Sequence, residues 1–267
     1  METKKLKSTF AGFAAIAIPI IFVTGILTYI FVLGDPSNFQ GNNIANHPKP
    51  GNYLGVVYKG GIIVPILLSI LLMVLVFSVE RFIAISRSKG KGSVAVFVAK
   101  IHSFLSKQQI DAAVDECDKQ RGSVANVIKS GLVKYKEVIG SSDVTTDQKI
   151  VAIKQEIEEA TSLELPVLEQ NLVILATIAP LATLVGLLGT VTGMIKAFAA
   201  LANAGATDAA ALSNGISEAL INTALGIGSS ALAIVFYNYF TTKIDKITYN
   251  IDETGVSIIQ NFVAHHK

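Results

Sequence analysis

Two apolar runs in the second half of the chain, residues 172–201 and 216–240, decide what it can fold into. Each exceeds the ~20 residues that carry a helix across a bilayer. Only a short Ala/Asn/Gly/Asp-containing link separates them, so together they read as a membrane hairpin.

Small and hydroxyl residues repeat along one side of each run. Thr183, Gly186, Thr190, Gly193 and Ala197 step by three and four residues, as do Ala219, Thr223, Gly226, Ser230 and Ala233. Such spacing makes one stripe on a helix. For the glycines and alanines the simple reading is packing, because small side chains let helix backbones approach in lipid.

Glu218 and the threonines carry a second reading. A carboxylate inside a spanning helix costs at least ~2.5–3.5 kcal/mol, so it faces protein or water. Because Ile216 opens the second run, one alternative is that Glu218 only reaches the membrane interface. The other is that Glu218, Thr190 and Thr223 line a polar seam for ions or protons. A hydroxyl both donates and accepts, so it can relay a proton or coordinate a small cation without carrying charge.

The rest of the chain suits this setting. The 267 residues are 51% hydrophobic and 16% charged, with a mean hydropathy of +0.54, a membrane-like balance. A net charge of +2 gives no indication of nucleic acid. The lone Cys117 excludes an internal disulfide framework. No HExxH or CxxC spacing, nucleotide loop or catalytic triad is visible, so neither a metal site, a cofactor nor an enzyme is expected.

Four spanning helices follow from the hydropathy. Residues 10–33 form an extra first span, too long for a cleaved signal core, and with a turn-rich loop they make an N-terminal segment, 1–60. A second span occupies 61–85. A polar segment, 86–170, reads as several amphipathic helices (93–105, 108–119 and 122–135), with Thr145 or Thr146 able to cap a longer one and Gln148 in capping-box position for Thr145. The hairpin takes 171–241 and a C-terminal helix 242–267. Pro166 and Pro180 are expected to kink rather than end a helical column running from 146 to 201. Lys4, Lys5 and Lys7, then Arg87, Lys89 and Lys91, then Lys243 and Lys246 put both termini and the polar segment on the cytoplasmic side. The expected class is an all-α polytopic membrane protein with four transmembrane helices and a cytoplasmic helical bundle, two of the helices long and extending into the cytoplasm.

Two blocks are specific enough to suggest a family. One is Ala179-Pro180 with Gly186-Leu187-Leu188-Gly189-Thr190-Val191 and Gly193-Met194; the other is Gly215-Ile216-Ser217-Glu218-Ala219-Leu220 with Thr223-Ala224-Leu225-Gly226 and Tyr237-Asn238. Together they resemble the MotA/TolQ/ExbB proton-channel family over about residues 61–267, with ExbB the nearest look. The resemblance implies an inner-membrane homo-oligomer, usually a pentamer, around two copies of an ExbD-like single-span partner that brings an aspartate into the pore. The complex would turn the proton gradient into movement of a TonB-like transducer that energises outer-membrane transport. By the same resemblance Thr190 and Thr223 match the pore hydroxyls and Glu218 the intramembrane carboxylate. Pro180 matches a proline near the pore entrance, and Gly186, Gly189, Gly193 and Gly226 fall on helix-packing positions.

Thr192 departs from the family pattern, where an aromatic is common. Lys196 can pair with Glu218 or Asp208, or extend to the interface, which leaves protons and sodium both open as the driving ion. TolQ-like envelope maintenance, a gliding or flagellar stator, and a non-conducting scaffold are the competing functions. A self-contained transporter fits poorly, since no repeat-related broken helices are visible.

Overall fold

The structure, a computed structural model, describes residues 2–140, 144–204 and 209–266. Among them are nine α-helices and no named strand: α1 Glu2–Leu27, α2 Tyr53–Tyr58, α3 Val64–Ser88, α4 Val94–Ser106, α5 Ile110–Gln120, α6 Ser123–Ile139, α7 Thr146–Glu169, α8 Leu172–Ala204 and α9 Ala209–His265. Four helices are long and apolar enough to cross a membrane: Gly12–Leu33, Gly61–Ser88, Leu172–Ala202 and Ala209–His265. The protein is an all-α polytopic membrane protein. The chain divides into two compact units, Met1–Val79 with Asn171–Asn238 and Glu80–Gln170 with Tyr239–Lys267.

In the first unit α1 passes through Pro19 without a break and ends in a π-helical turn, Thr28–Leu33. The residues after it are more ordered than the turn-rich composition suggests. Asp35 caps the turn Pro36–Asn38 through the Ser37 amide at 2.7 Å. The buried Asn38 donates to the carbonyls of Val32 and Leu33 at 2.9 and 3.0 Å. Phe39 is fully buried, with the Lys59 ammonium 5.4 Å over its ring. Lys59 also donates to the Ile44 carbonyl at 2.9 Å, and burial holds its basicity below the ordinary lysine range. Asn52 caps α2 through the Gly55 amide at 3.0 Å. Side chains supply the hydrogen bonds that this irregular backbone cannot make to itself.

The second unit is a bundle of α4–α7 with the C-terminal part of α9. Ile101, Leu132, Ile153, Ile258 and Phe262 are buried in its core. Tyr135 lies edge-on to Phe262, centroids 5.0 Å apart, and donates to Asn261 at 3.1 Å. Burial raises the pKa of that phenol. The capping box at Thr145 and Gln148 is formed. Arg81 is fully buried; it pairs with Glu80 and donates to the Leu168 carbonyl at 3.2 Å.

Two expectations fail. The column from 146 to 201 is two helices, not one. Neither Pro166 nor Pro180 ends a helix. The break falls at Gln170, with ψ 143, and Asn171, with φ 60. Asparagine tolerates that left-handed conformation better than most residues, and the Gln170 amide closes α7 on the Pro166 carbonyl. In addition, residues 242–265 are not a separate helix but the continuation of α9. No proline interrupts them, and a Cβ on Gly255 would lie 3.2 Å from the Ile157 Cγ2.

Candidate functional site

The hairpin helices α8 and α9 run antiparallel, and their glycines set the register. A Cβ on Gly193 would lie 2.8 Å from the Ala219 amide nitrogen, and one on Gly215 2.8 Å from the Ala197 Cβ. Between Gly186 and Gly226 the two backbones themselves are in contact. Gly189 leaves the space that the Asn222 side chain fills. Packing is thus what the small-residue stripes accomplish within the hairpin. Pro180 sits exposed inside α8; its ring nitrogen offers no proton to the carbonyl of Ala176 one turn back.

Close packing brings the two threonines together. The hydroxyls of Thr190 and Thr223 hydrogen-bond across the interface. Thr190 also lies 3.2 Å from the Gly186 carbonyl and Thr223 3.0 Å from the Ala219 carbonyl. Three contacts thus share two hydroxyl hydrogens, so at most two of them are made at any moment. A pair with more acceptors than protons can reorient, which is what a proton relay requires.

Glu218 lies five residues before Thr223, about 7.5 Å along the helix. It is buried, at 8% exposure, and accepts from the Lys196 ammonium at 2.6 Å. Lys196 comes from α8 with its side chain 56% exposed, so one partner is enclosed and the other half open. Of the alternatives for Lys196 the structure selects Glu218, while Asp208 lies outside the described residues. Because α9 begins at Ala209, Glu218 stands in its third turn rather than at the helix start that Ile216 suggests. Thr192 donates to the Gly189 carbonyl at 3.1 Å.

Asn222 is the polar residue that sequence reasoning missed. It is fully buried one turn beyond Glu218 and donates to the Gly60 carbonyl at 2.8 Å, while its Oδ1 has no partner. An amide within a spanning run, four residues from a carboxylate, was the available signal. Among the described residues no three His, Cys, Asp or Glu side chains converge as a metal site would require.

These features define a class first: a membrane helical hairpin with a hydroxyl pair and an ion pair stacked in its seam. The comparison with known proteins then supplies the family. The profile of the MotA/TolQ/ExbB proton channel family matches residues 119–253, just over half of the chain and all of the seam. The chain belongs to the MotA/TolQ/ExbB proton channel family, whose members are channel or scaffold subunits rather than enzymes.

Relatives carry both names. The Tol-Pal system protein TolQ of Haemophilus influenzae is 27% identical over 201 residues, 73% of this chain and 87% of that protein. TolQ of Pseudomonas aeruginosa is 30% identical over 124 residues, 46% and 54% of the two chains. The biopolymer transport protein ExbB of Pseudomonas putida is 36% identical over 86 residues, 32% of this chain and 26% of that protein. The chain thus spans about half of one relative's length and about a quarter of another's.

Proposed function

We propose that this chain is the ring-forming subunit of a proton-driven motor in the inner membrane. With an ExbD-like single-span partner it energises a TonB-like transducer for transport across the outer membrane. The observation that carries the reading is the hydroxyl pair Thr190–Thr223, stacked in one seam with the carboxylate of Glu218. The glycines serve packing on either reading, whereas a carboxylate inside a spanning helix is costly and supports the pathway.

In this reading residues 171–241 line the pore, and 86–170 with 242–267 form the cytoplasmic part. Arg87, Lys89, Lys91, Lys243 and Lys246 support that orientation. The partner's carboxylate takes protons from the seam and gives them up on the other side. Each elementary charge crossing 100 mV releases ~2.3 kcal/mol. About 1.4 kcal/mol already shifts a two-state interface tenfold, so each proton can move the partner relative to a ring of five copies.

A TolQ-like role is the second reading, favoured by the match that covers most of a TolQ chain. One set of strains tests both. Thr223→Ala and Glu218→Gln are placed in the chromosomal copy. Proton uptake by right-side-out membrane vesicles, import of outer-membrane receptor ligands and resistance to detergent are then measured. The proposal expects assembled rings with lost proton uptake and lost import. Loss of detergent resistance with intact import assigns the chain to envelope maintenance, and full activity in both variants overturns the pathway.

A further inference from the structure

Residues before the family-matched part bear directly on Glu218. Gly61 takes a left-handed φ of +80°, and a Cβ there would lie 2.5 Å from Glu218 Oε1 and 2.9 Å from its Cδ. The backbone of this turn is therefore packed against one side of the carboxylate, and Lys196 closes another side at 2.6 Å. Gly60 is fixed beside it: its carbonyl accepts from Asn222 at 2.8 Å, and a Cβ on it would lie 2.8 Å from the Ile221 Cγ2. Asn222 and Glu218 are one turn apart on α9, so two consecutive glycines contact two consecutive turns of the pore-lining helix.

The segment that presents these glycines is itself held in place. The Tyr58 ring stacks on Tyr29 with centroids 4.7 Å apart, and the Tyr29 hydroxyl donates to the Tyr58 carbonyl at 3.3 Å. Phe39 packs edge-on to Tyr58 at 5.5 Å. The folded region after the first span thus ends in a turn pressed onto the acid.

We propose that Gly60, Gly61 and Asn222 are positioning residues for Glu218: the N-terminal segment clamps the carboxylate against Lys196. The role given to Glu218 rests on the ion-pathway reading above, whereas the clamp is a statement about contacts and is testable separately. Glycine is favoured at 61 by its positive φ, and a Cβ there would push the Glu218 carboxyl group out of its present position. Asn222 is required as a donor, because an apolar side chain leaves the Gly60 carbonyl buried without a partner.

The test uses dicyclohexylcarbodiimide, which modifies a carboxyl group in its protonated, accessible form. Full-length protein in native membrane vesicles at pH 7 is treated, and the adduct on the Glu218 peptide is quantified by mass spectrometry. Wild type is expected to label slowly. Asn222→Leu, Gly61→Ala and Lys196→Gln are each expected to label about tenfold faster, because the carboxyl group is released from its enclosure and meets the reagent. Lys196→Arg, which keeps the charge, is expected to stay near wild type.

Should Gly61→Ala fail to insert, Asn222→Leu decides alone. Faster labelling in Lys196→Gln alone, with Asn222→Leu at the wild-type rate, overturns the clamp. Unchanged labelling in every variant overturns it as well. Vesicle proton uptake in Glu218→Gln is read in parallel. If uptake persists there while labelling follows the clamp, the pathway reading fails and the clamp stands.

Discussion

Gly186 on α8 and Gly226 on α9 meet backbone to backbone: a Cβ added to Gly226 would lie 2.8 Å from the Gly186 Cα, and one added to Gly186 3.0 Å from the Gly226 Cα. Backbone cannot swing aside as a flexible side chain can, so any larger residue separates the helices along their whole contact.

Gly226→Ala is therefore expected to destabilise the hairpin by about 1–3 kcal/mol, the usual cost of overpacking a tight interface. Gly228, two residues on, has no atom within 4 Å of where its Cβ would stand. Alanine there is expected to be neutral or to stabilise by up to ~1 kcal/mol, since glycine weakens a helix interior. Thermal unfolding of the full-length protein in detergent compares the two. Equal loss at both positions contradicts the packing described here.

The Thr190–Thr223 pair predicts non-additivity. Each single change to alanine removes one hydroxyl and leaves the other with its carbonyl contact, a loss of about 0.5–1.5 kcal/mol. The double variant is expected to lose less than the two single losses combined, because both delete the same interhelical bond. A double-mutant cycle on unfolding measures it, and strict additivity denies the bond.

The spans, the capping box and the face shared by Thr190, Gly186 and Gly193 were legible in the sequence because each rests on local periodicity or spacing. What escaped depended on contacts between distant segments. The break before α8 sits at Gln170 and Asn171, where asparagine is a weaker stop signal than proline, while Pro166 and Pro180 carry the stronger one and break nothing. Arg81 reads as one more basic residue near the end of a span, yet it is fully buried on Glu80 and the Leu168 carbonyl, 87 residues away in sequence. Asn222 and Gly60 stand 162 residues apart, and nothing in either neighbourhood points to the other. Continuity of α9 was missed for the opposite reason: a change from apolar to amphipathic composition suggests a boundary, but nothing in the backbone chemistry requires one.

The buried Glu80–Arg81 pair gives an asymmetric expectation. Arg81→Met leaves a carboxylate buried at 8% exposure with no cation, and such half-pairs cost about 3–5 kcal/mol. Glu80→Gln combined with Arg81→Met removes both charges and is expected to recover most of that loss. Urea unfolding of the full-length protein in detergent, followed by circular dichroism, reads both. A double variant as unstable as the single one sinks the idea that an uncompensated charge is the cause.

Cys117 supplies a chemical reporter for the same unit. It is buried, and desolvation, aided by the neighbouring Asp118, pushes its thiol up to about 12 from the ordinary value of 9.0. Maleimide at pH 7.5 is expected to leave it unmodified in the folded protein and to label it at the rate of local opening. Fast labelling under native conditions contradicts the packing of α5.

The acid-side stability of that unit follows from Glu116. Its carboxylate accepts from Lys100 at 2.5 Å, linking α4 to α5, with Lys119 at 3.7 Å. The Lys100 hydrogen bond, ahead of the opposing effect of desolvation, holds its pKa below the ordinary carboxylate value. A lowered folded-state value means that the stabilisation is fully present above the unfolded pKa, about 4.3, and disappears as pH falls through the folded one. Lys100 is 53% exposed, so the contact contributes only about 0.2–1 kcal/mol. Amide hydrogen exchange in α4 and α5 is expected to quicken by a factor of roughly 1.4–5 in Lys100→Gln at pH 7, the same energies expressed as rates. Wild type and variant are expected to converge below the folded pKa of Glu116, where the acid is neutral in both. A difference that persists undiminished at that pH assigns the effect to the lysine's packing instead of its charge.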